Sequence, residues 1–179
     1  FVDEIENKYS ISEAGSTLNP VVGEYDDPFN QKQGGLTIPF SEEGNCLIYG
    51  ATGNGKTTFL TTLCYALIKN HSAEEVNIYI MDFGSETLKV FDKAPQVGGV
   101  IVSSDEEKTI NFLKMLHSEM EKRKGLFSEF GGDYAGYCRN SGKTVPNIVV
   151  LLNNYSGFSE QFEDLQESFA LLTRDGVKY

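Results

Sequence analysis

A short glycine-rich segment, Gly50–Thr57, constrains the fold of this chain more than any other part of its sequence. Glycines stand at positions 50, 53 and 55, and a lysine and a threonine follow at once, which is the spacing of a phosphate-binding loop. Glycine reaches backbone angles that are closed to other residues, so successive amide N–H groups can curl around an anion. The segment therefore predicts a turn from a strand into a helix, with phosphate held at the helix N-terminus.

The residues on either side supply the context that such a loop needs. Cys46–Tyr49 is a short apolar run, which predicts a buried strand, and Thr58–Ile68 carries apolar residues at helical spacing. Lys56 is predicted to reach the outer phosphates of a nucleotide, and the Thr57 hydroxyl to bind Mg²⁺. A glycine turn that merely precedes an ordinary helix is the alternative, and the flanking pattern disfavours it. The predicted nucleotide-binding residues are Gly50, Ala51, Thr52, Gly53, Asn54, Gly55, Lys56, Thr57 and Thr58.

A second strand bears on whether a bound nucleotide could be cleaved. In nucleoside triphosphatases with this loop, a later strand usually ends in an aspartate that holds Mg²⁺ through water, and a glutamate that polarises the attacking water often follows. The best such strand here, Ile148–Leu152, is followed by Asn153 and Asn154, a degenerate form of these Walker B acids. An amide accepts a hydrogen bond but carries no charge and takes up no proton at neutral pH. The pair predicts binding with little or no hydrolysis, unless this strand is purely structural and the functional acid lies elsewhere.

Asp82 is the candidate for such an acid elsewhere, because it ends another apolar strand, Val76–Met81. It could act as a metal partner or a base, with Glu86 as a weaker second candidate. Alternatively, Asp82 only ends its strand and caps a helix that begins near Ser85. The sequence leaves both possibilities open and gives no other candidate catalytic residue.

The charge balance limits the partners of the chain. Its 179 residues include 26 acids against 15 lysines and arginines, a formal net charge of −11, so repulsion from phosphate backbones argues against nucleic-acid binding. One basic cluster, Lys122–Lys124, lies on a predicted helix with Glu119 and Glu121 at spacings that allow ion pairs, which predicts a solvated, salt-bridged face.

No apolar stretch approaches the roughly 20 residues that cross a bilayer. The three cysteines lack metal-type spacing, which predicts reduced, buried thiols.

The order of the predicted elements indicates an α/β fold. Strands and helices alternate, which favours a parallel sheet with helices on both faces and ligand at the carboxyl ends of the strands. Residues 1–34 show no clear period and are predicted to be a connector and N-terminal flank, whereas residues 35–179 form the domain. A further strand is expected after the last helix, so the domain is predicted to be incomplete at its C-terminal end. Strands are predicted near 46–49, 76–82, 99–102 and 147–152, and helices near 56–70, 85–92, 105–130 and 159–174.

The longest predicted helix, 105–130, has an apolar stripe. Ile110, Leu113, Leu116 and Met120 fall on one face, and this spacing predicts that they pack in the core. A groove for a partner or a cofactor is the less favoured interpretation of the same stripe.

Several of these features occur together, in the same order and spacing, in one known family. They are the loop Gly50–Thr58, the strand that ends at Asp82, the helix segment Glu119–Arg123 and the strand before Asn153. The chain resembles the FtsK/SpoIIIE-type motor ATPases over nearly its whole length. Val22–Pro28 followed by Gly44–Tyr49 is, more narrowly, similar to a C-terminal ATPase domain of the type VII secretion ATPases.

The resemblance carries its own expectations. It implies a RecA-like P-loop fold, ATP and Mg²⁺ as ligands, and a cytoplasmic domain of a membrane-anchored protein with several tandem ATPase domains. The implied partners are the other ATPase domains of the same chain, further secretion-system subunits and WXG-type secreted substrates, with a hexamer in the full-length context. A regulatory or substrate-docking role with little hydrolysis is one implied function. The alternative is an active motor for protein secretion or DNA translocation that uses Asp82 as a substitute acid.

Overall fold

The computed structural model describes residues 1–12 and 17–179, which form two compact units. Each unit has its own cluster of buried hydrophobic residues. The part of the predicted connector at residues 13–16 lies outside the described residues. Unit 1 contains Phe1–Ile78, Lys93–Gly98 and Pro146–Val149, and unit 2 contains Tyr79–Asp92, Gly99–Val145 and Val150–Tyr179.

The amino-terminal part of unit 1 is more regular than the sequence predicts. It contains α1 (Val2–Tyr9), β1 (Val21–Asp27), β2 (Lys32–Thr37), α2 (Phe40–Glu43) and α3 (Lys56–Asn70). The strands β1 and β2 pair antiparallel. Residues 1–34, which show no period in the sequence, thus include a helix and the first strand of a hairpin. By contrast, α3 confirms the helix predicted near 56–70.

Packing against α3 explains why α1 forms despite its short length. Val2 and Ile5 of α1 are buried in one cluster with Val21 of β1 and Ala66 of α3. An isolated helix of eight residues is marginal in water, so this tertiary contact supplies its stability. Hydrogen bonds from Lys69 to Asp3 and then Glu6 support the contact and raise the pKa of the Lys69 ammonium to about 12. These facts place α1 within the core of unit 1.

The main sheet contains three parallel strands in the order β4-β3-β5. They are β3 (Val76–Asp82), β4 (Val97–Val102) and β5 (Asn147–Asn153), which confirms three of the four predicted strands. The central strand β3 is apolar and largely buried, as expected where neighbours cover both of its edges. The carboxyl ends of β3 and β5 carry Asp82 and Asn153, so the sheet brings these two side chains to one edge.

The helices of unit 2 differ in part from the predicted boundaries. A 3₁₀ helix, Thr87–Phe91, lies where a helix is predicted near 85–92, and the helix predicted over 159–174 is divided in two. The first of these helices starts early, at Tyr155, and Phe162 N closes its last turn by donating to Phe158 O at 2.9 Å; a short 3₁₀ helix, Glu163–Leu165, separates the two. The α-helices are α4 (Glu106–Phe127), α5 (Tyr134–Ser141), α6 (Tyr155–Gln161) and α7 (Gln166–Asp175). The helix α5 was not predicted from the sequence.

The core face of α4 is shifted slightly from the predicted stripe. Leu113 is buried and Leu116 packs against the main cluster of unit 2, as predicted, but Ile110 is 37% exposed, so its assignment to the core is wrong. The buried stripe begins instead at Thr109 and reaches Phe127. Ile110 follows Thr109 by one residue, which turns its side chain about 100° around the helix and away from the stripe.

The basic cluster on α4 forms the predicted ion pairs. Lys122 and Arg123 both contact Glu119, at 3.1 and 2.9 Å. Arg123 is nevertheless buried, and its Nη1 donates to the backbone oxygen of Tyr179 at 3.0 Å. The cluster thus forms a salt-bridged face, and the hydrogen bond of Arg123 also holds Tyr179 against α4. Within the described ranges, no helix is both long and apolar enough to cross a membrane.

Candidate functional site

Two of the three glycines of the loop in unit 1 have the backbone angles that the sequence predicts. Gly53 and Gly55 have φ of 86° and 76°, in the left-handed region that disfavours other residues. A Cβ atom at either position would meet nothing within 4 Å, so the backbone angle, not lack of space, makes glycine necessary. Gly50 differs because its added Cβ would only touch Asn54 at 3.7 Å, an ordinary contact. The loop is exposed and joins directly onto the first residue of α3.

Lys56 is the first residue of α3, and its side chain folds back over the loop. Its Nζ donates to Gly50 O at 2.7 Å and to Ala51 O at 2.9 Å. The hydrogen bonds of α3 begin with Phe59 N, which donates to Gly55 O at 2.8 Å, so the N–H groups of the first turn have no acceptor within the helix. An ammonium group, a helix N-terminus and positive-φ glycines together form an anion-binding arrangement.

The apolar segment before this loop is not the buried strand that the sequence predicts. Cys46–Tyr49 has no regular secondary structure, and Leu47 and Tyr49 are 83% and 90% exposed. An apolar run becomes a buried strand only when a neighbouring strand satisfies its backbone N–H and C=O groups. Among the residues that the structure describes, no strand pairs with this segment. The predicted burial of Cys46 is wrong for the same reason, although Cys64 is buried as expected.

A second group of polar residues lies within unit 2, where β3 and β5 end. We call Asp82, Gly84, Asn153, Asn154 and Gly157 the strand-end cluster. Asp82 is fully buried, and its Oδ1 accepts from Asn153 Nδ2 at 2.8 Å and from Gly84 N at 3.1 Å. Its Oδ2 accepts from the Leu88 N–H, in the 3₁₀ helix, at 3.1 Å. Both carboxylate oxygens therefore have structural donors.

Asn154 occupies a backbone position that suits an asparagine. It has φ of 66° and caps α6, where its Oδ1 accepts from Gly157 N at 3.3 Å. Its Nδ2 donates to Phe83 O at 2.9 Å, while Phe83 N donates to Asn153 O at 3.1 Å. Asparagine tolerates the left-handed region and is among the preferred N-cap residues. The two asparagines thus tie the end of β5 to the residues that follow β3.

The two glycines of the strand-end cluster leave room for the two asparagines. A Cβ at Gly84 would lie 2.8 Å from Asn153 Nδ2, and one at Gly157 would lie 2.7 Å from Asn154 Nδ2. Neither glycine was predicted as a site residue from the sequence. Two sequence patterns could have indicated them. Gly157 follows, by three residues, an asparagine at a helix start, and Gly84 follows, by two residues, an acid that ends a strand.

The surroundings of the strand-end cluster are aromatic. Phe83 meets Phe158 and Phe162 edge-on, with ring centroids 5.5 and 5.8 Å apart.

Glu86, the weaker candidate acid, is not part of the cluster: it has φ of 57° and its carboxylate pairs with Lys89 at 2.6 Å. Across the described part of the chain, no three His, Cys, Asp or Glu residues are grouped so that they could hold a metal ion.

The fold and the loop agree with the solved structures that are similar to this chain. A parallel sheet and a glycine loop that leads into a helix N-terminus are features of P-loop nucleotide-binding folds, and the structural neighbours give the RecA-like type. The model of the FtsK/SpoIIIE family matches residues 14–153, which is most of the chain. The chain belongs to the FtsK/SpoIIIE family.

Type VII secretion proteins are among the similar proteins. Over 169 residues, 93% of this chain, it is 25% identical to the type VII secretion system protein EssC of Staphylococcus aureus (strain MRSA252). It is 28% identical to a solved structure of EssC ATPases 2 and 3 from Geobacillus thermodenitrificans, with a TM-score of 0.85 over 95% of this chain and 33% of that one. The cytoplasmic domain of the Thermomonospora curvata type VII secretion ATPase EccC gives 28% identity and a TM-score of 0.84, over 93% of this chain and 20% of that one. The chain spans only 11% of the staphylococcal relative.

Proposed function

We propose that this chain is an ATP-binding domain of a type VII secretion ATPase, and that it binds Mg-ATP with little or no hydrolysis. The observation that carries the proposal is the contrast between its two polar groups. The glycine loop keeps its lysine, its threonine and its positive-φ glycines. The end of β5 carries two amides, both engaged in hydrogen bonds to neighbouring backbone or side-chain groups.

Binding uses residues of the loop itself. When phosphate arrives, the Lys56 ammonium exchanges its bonds to Gly50 O and Ala51 O for bonds to phosphate oxygens, a stronger charge-assisted interaction. No atom lies within 4 Å of a Cβ placed at Gly53 or Gly55, so a phosphate could approach the backbone there. Mg²⁺ would neutralise charge on the outer phosphates, and the Thr57 hydroxyl is the group proposed to hold it. The proposed binding residues are Gly50, Ala51, Thr52, Gly53, Asn54, Gly55, Lys56, Thr57 and Thr58.

Slow hydrolysis follows from the chemistry of the strand end. Neither Asn153 nor Asn154 can accept a proton at neutral pH, and loss of a general base costs on the order of 10² to 10⁴ in rate. Asp82 would be the substitute acid of an active motor. Its two oxygens already accept three hydrogen bonds in a fully buried position, which supports the capping role over the catalytic one.

A domain that binds but does not cleave nucleotide acts through conformation. By linkage, a nucleotide at about 100 times its Kd stabilises the bound state by about 2.7 kcal/mol, enough to shift a closely balanced equilibrium. We propose that bound ATP regulates neighbouring ATPase domains of the same longer chain or docks a secreted WXG-type substrate, in a hexamer on the cytoplasmic side of a membrane. The net charge of −11 favours protein partners over nucleic acid.

The test is a calorimetric titration with Mg-ATP, with phosphate release recorded on the same sample. We expect saturable binding to the wild type, at least about tenfold weaker binding to Lys56→Ala as its charge-assisted bonds to phosphate are lost, and turnover near the uncatalysed background. Lys114→Ala is the matched control, because Lys114 is exposed on α4 and should leave affinity unchanged. Absence of binding would overturn the proposal. Rapid turnover that Asp82→Ala abolishes would favour the active motor instead.

A further inference from the structure

The hairpin of unit 1 has an outer edge that no other strand covers. Strand β2 pairs with β1 on one side, and within the described ranges no third strand pairs with its other side. In an antiparallel pair, alternate residues of each strand direct their backbone N–H and C=O groups away from the partner strand. We propose that this outer edge of β2 binds an extended acidic segment of a partner protein as a third strand. The edge shares no residue with the glycine loop, so the proposal does not rest on nucleotide binding.

Strand β2 lacks the features that usually protect an open sheet edge. Natural edges are often blocked by a proline, a bulge or charged side chains within the strand. The sequence of β2 contains no proline, and its one charged residue, Lys32, stands at its end. The irregularity in the register of the hairpin lies in β1 instead. At the centre of β2, Gly34 and Gly35 have no side chains, so a third strand can approach the whole edge.

The two glycines of β2 are covered by apolar groups on opposite faces of the hairpin. An added Cβ at Gly35 would collide with Ile11, which follows α1, and would lie 3.3 Å from Ile5 of that helix. On the other face, an added Cβ at Gly34 would lie 2.7 Å from the Tyr25 ring. A third strand would therefore extend a sheet that already packs against apolar groups, and three strands of this kind are more stable than an isolated hairpin.

The face that carries Tyr25 leaves apolar surface for the partner. Tyr25 is 44% exposed, and Leu36 of β2 is 43% exposed. The two side chains lie on the same face, because Tyr25 is opposite Gly34 and residues two apart in a strand share a face. A side chain of the partner next to Gly34 would reach both of them. Aromatic and β-branched residues stabilise such cross-strand contacts, so we expect one of them at that position of the partner.

Lys32 determines the charge that the partner should carry. It is exposed, and it forms no ion pair within the described part of the chain. Asp27, which lies opposite it in β1, instead accepts hydrogen bonds from Asn30 Nδ2 at 2.7 Å and Asn30 N at 3.2 Å, and these bonds lower the pKa of its carboxyl group. An acid opposite Lys32 on the outer side would form a cross-strand ion pair. A second copy of this chain fits less well, since β2 contains no acid and each copy has a net charge of −11.

The probe for this edge is a capped peptide with the sequence of β1, Val21–Asp27. This sequence pairs with β2 in the structure, with Asp27 opposite Lys32 and Tyr25 opposite Gly34. Added to the isotope-labelled full chain, the peptide should cause saturable NMR shifts of the β2 amides and slow the hydrogen exchange of those that β1 leaves open. The matched control is the same peptide with N-methyl groups at alternate residues. It lacks the N–H donors for strand pairing and should not bind.

Charge exchange tests the predicted ion pair. Lys32→Glu should weaken binding of the peptide by roughly twofold to fivefold, as expected for one cross-strand charge pair. A peptide with Asp27→Lys should regain this affinity on the Lys32→Glu chain and bind the wild type more weakly. Lys93→Glu changes an exposed lysine of unit 1 outside the hairpin, and this control chain should bind the original peptide as the wild type does.

Four results would overturn the proposal. They are the absence of a saturable change in β2, equal binding of the N-methylated peptide, unchanged affinity in Lys32→Glu, and loss of the buried Val21 signal, which would mean that the peptide replaces β1. Protection of the β2 amides that rises with protein concentration alone would also overturn it, because a second copy would then occupy the edge. Failure of Mg-ATP to bind the wild type would overturn the proposed function alone.

Discussion

Gly84 offers the most direct measurement of how tightly the strand-end cluster is built. In Gly84→Ala, the new Cβ would lie 2.8 Å from Asn153 Nδ2, a distance that real Cβ atoms do not reach, and 3.5 Å from Asp82 Oδ1. The Asn153 amide must therefore move, and its bond to the buried carboxylate is stretched or lost. A hydrogen bond to a charged group contributes roughly 1.5–3 kcal/mol, which sets the expected loss of unfolding free energy.

The assay is thermal and urea unfolding of matched variants. For a domain of this size, each kcal/mol shifts the Tm by about 2–4 °C. The Tm of Gly84→Ala should therefore be roughly 3–12 °C below that of the wild type. Gly125→Ala is the control, and its stability should change in the opposite direction. Gly125 lies inside α4, and an added Cβ meets nothing within 4 Å. That variant should gain about 0.4–1 kcal/mol because alanine loses less backbone entropy in a helix. A Gly84→Ala protein as stable as wild type would refute the tight packing argued for Asn153.

Three further outcomes follow from the local structure of unit 1. Gly55→Ala should lower stability by about 1 kcal/mol because φ is 76° there, whereas Gly50→Ala should be near neutral, which paired urea unfolding curves would distinguish. Burial raises the pKa of the Cys64 thiol to about 12, so a thiol reagent at pH 8 should label exposed Cys46 rapidly and Cys64 only on unfolding; rapid labelling of Cys64 in the native protein would contradict its burial. The pKa of Lys69 is raised from 10.5 to about 12, so its contribution to stability is complete below pH 10.5 and lost as pH rises through 12; a Tm profile of Lys69→Met, compared with wild type, should lack this alkaline decrease.

The parts of the fold that follow from local pattern were predictable. The helix α3 starts at Lys56 because a glycine at a positive φ precedes it, and its buried residues recur at helical spacing. The strands β3 and β5 are apolar runs whose neighbours do lie beside them in the sheet. For α3 the local pattern supplies the physical cause, whereas for β3 and β5 the apolar run predicts the strand and the neighbouring strand in the sheet completes it.

The parts that depend on distant partners were not predictable. The helix α1 has only eight residues, and it is stabilised by packing against Val21 and Ala66, which are far away in sequence. Cys46–Tyr49 has the composition of a buried strand, but no strand pairs with it among the described residues. Composition reports how a segment would behave if a partner were present, and it does not report whether the partner is there.

The strand-end cluster shows the same limit for the candidate site. In the sequence, Asn153 and Asn154 stand where two acids are expected, and Asp82 is an acid that could substitute for them. In the structure, Asp82 accepts from Asn153, and Asn154 caps α6. The three residues are one hydrogen-bonded arrangement, and only the pairing of β3 with β5 reveals it.

The proposed separation of binding from hydrolysis has a simple basis in the layout of the chain. The proposed phosphate-binding groups lie within nine consecutive residues, Gly50–Thr58, whose backbone angles come from their own glycines. The groups that would activate water lie at the ends of β3 and β5, where neighbouring residues set their direction. Asn153→Asp removes the amide that donates to Asp82 Oδ1, so it disturbs this hydrogen bond whether or not a nucleotide is bound. We expect this variant to lower the free energy of unfolding, because two acids within hydrogen-bond distance in a buried site repel each other, and urea unfolding beside Asn154→Asp, whose amide donates to Phe83 O instead, measures that loss.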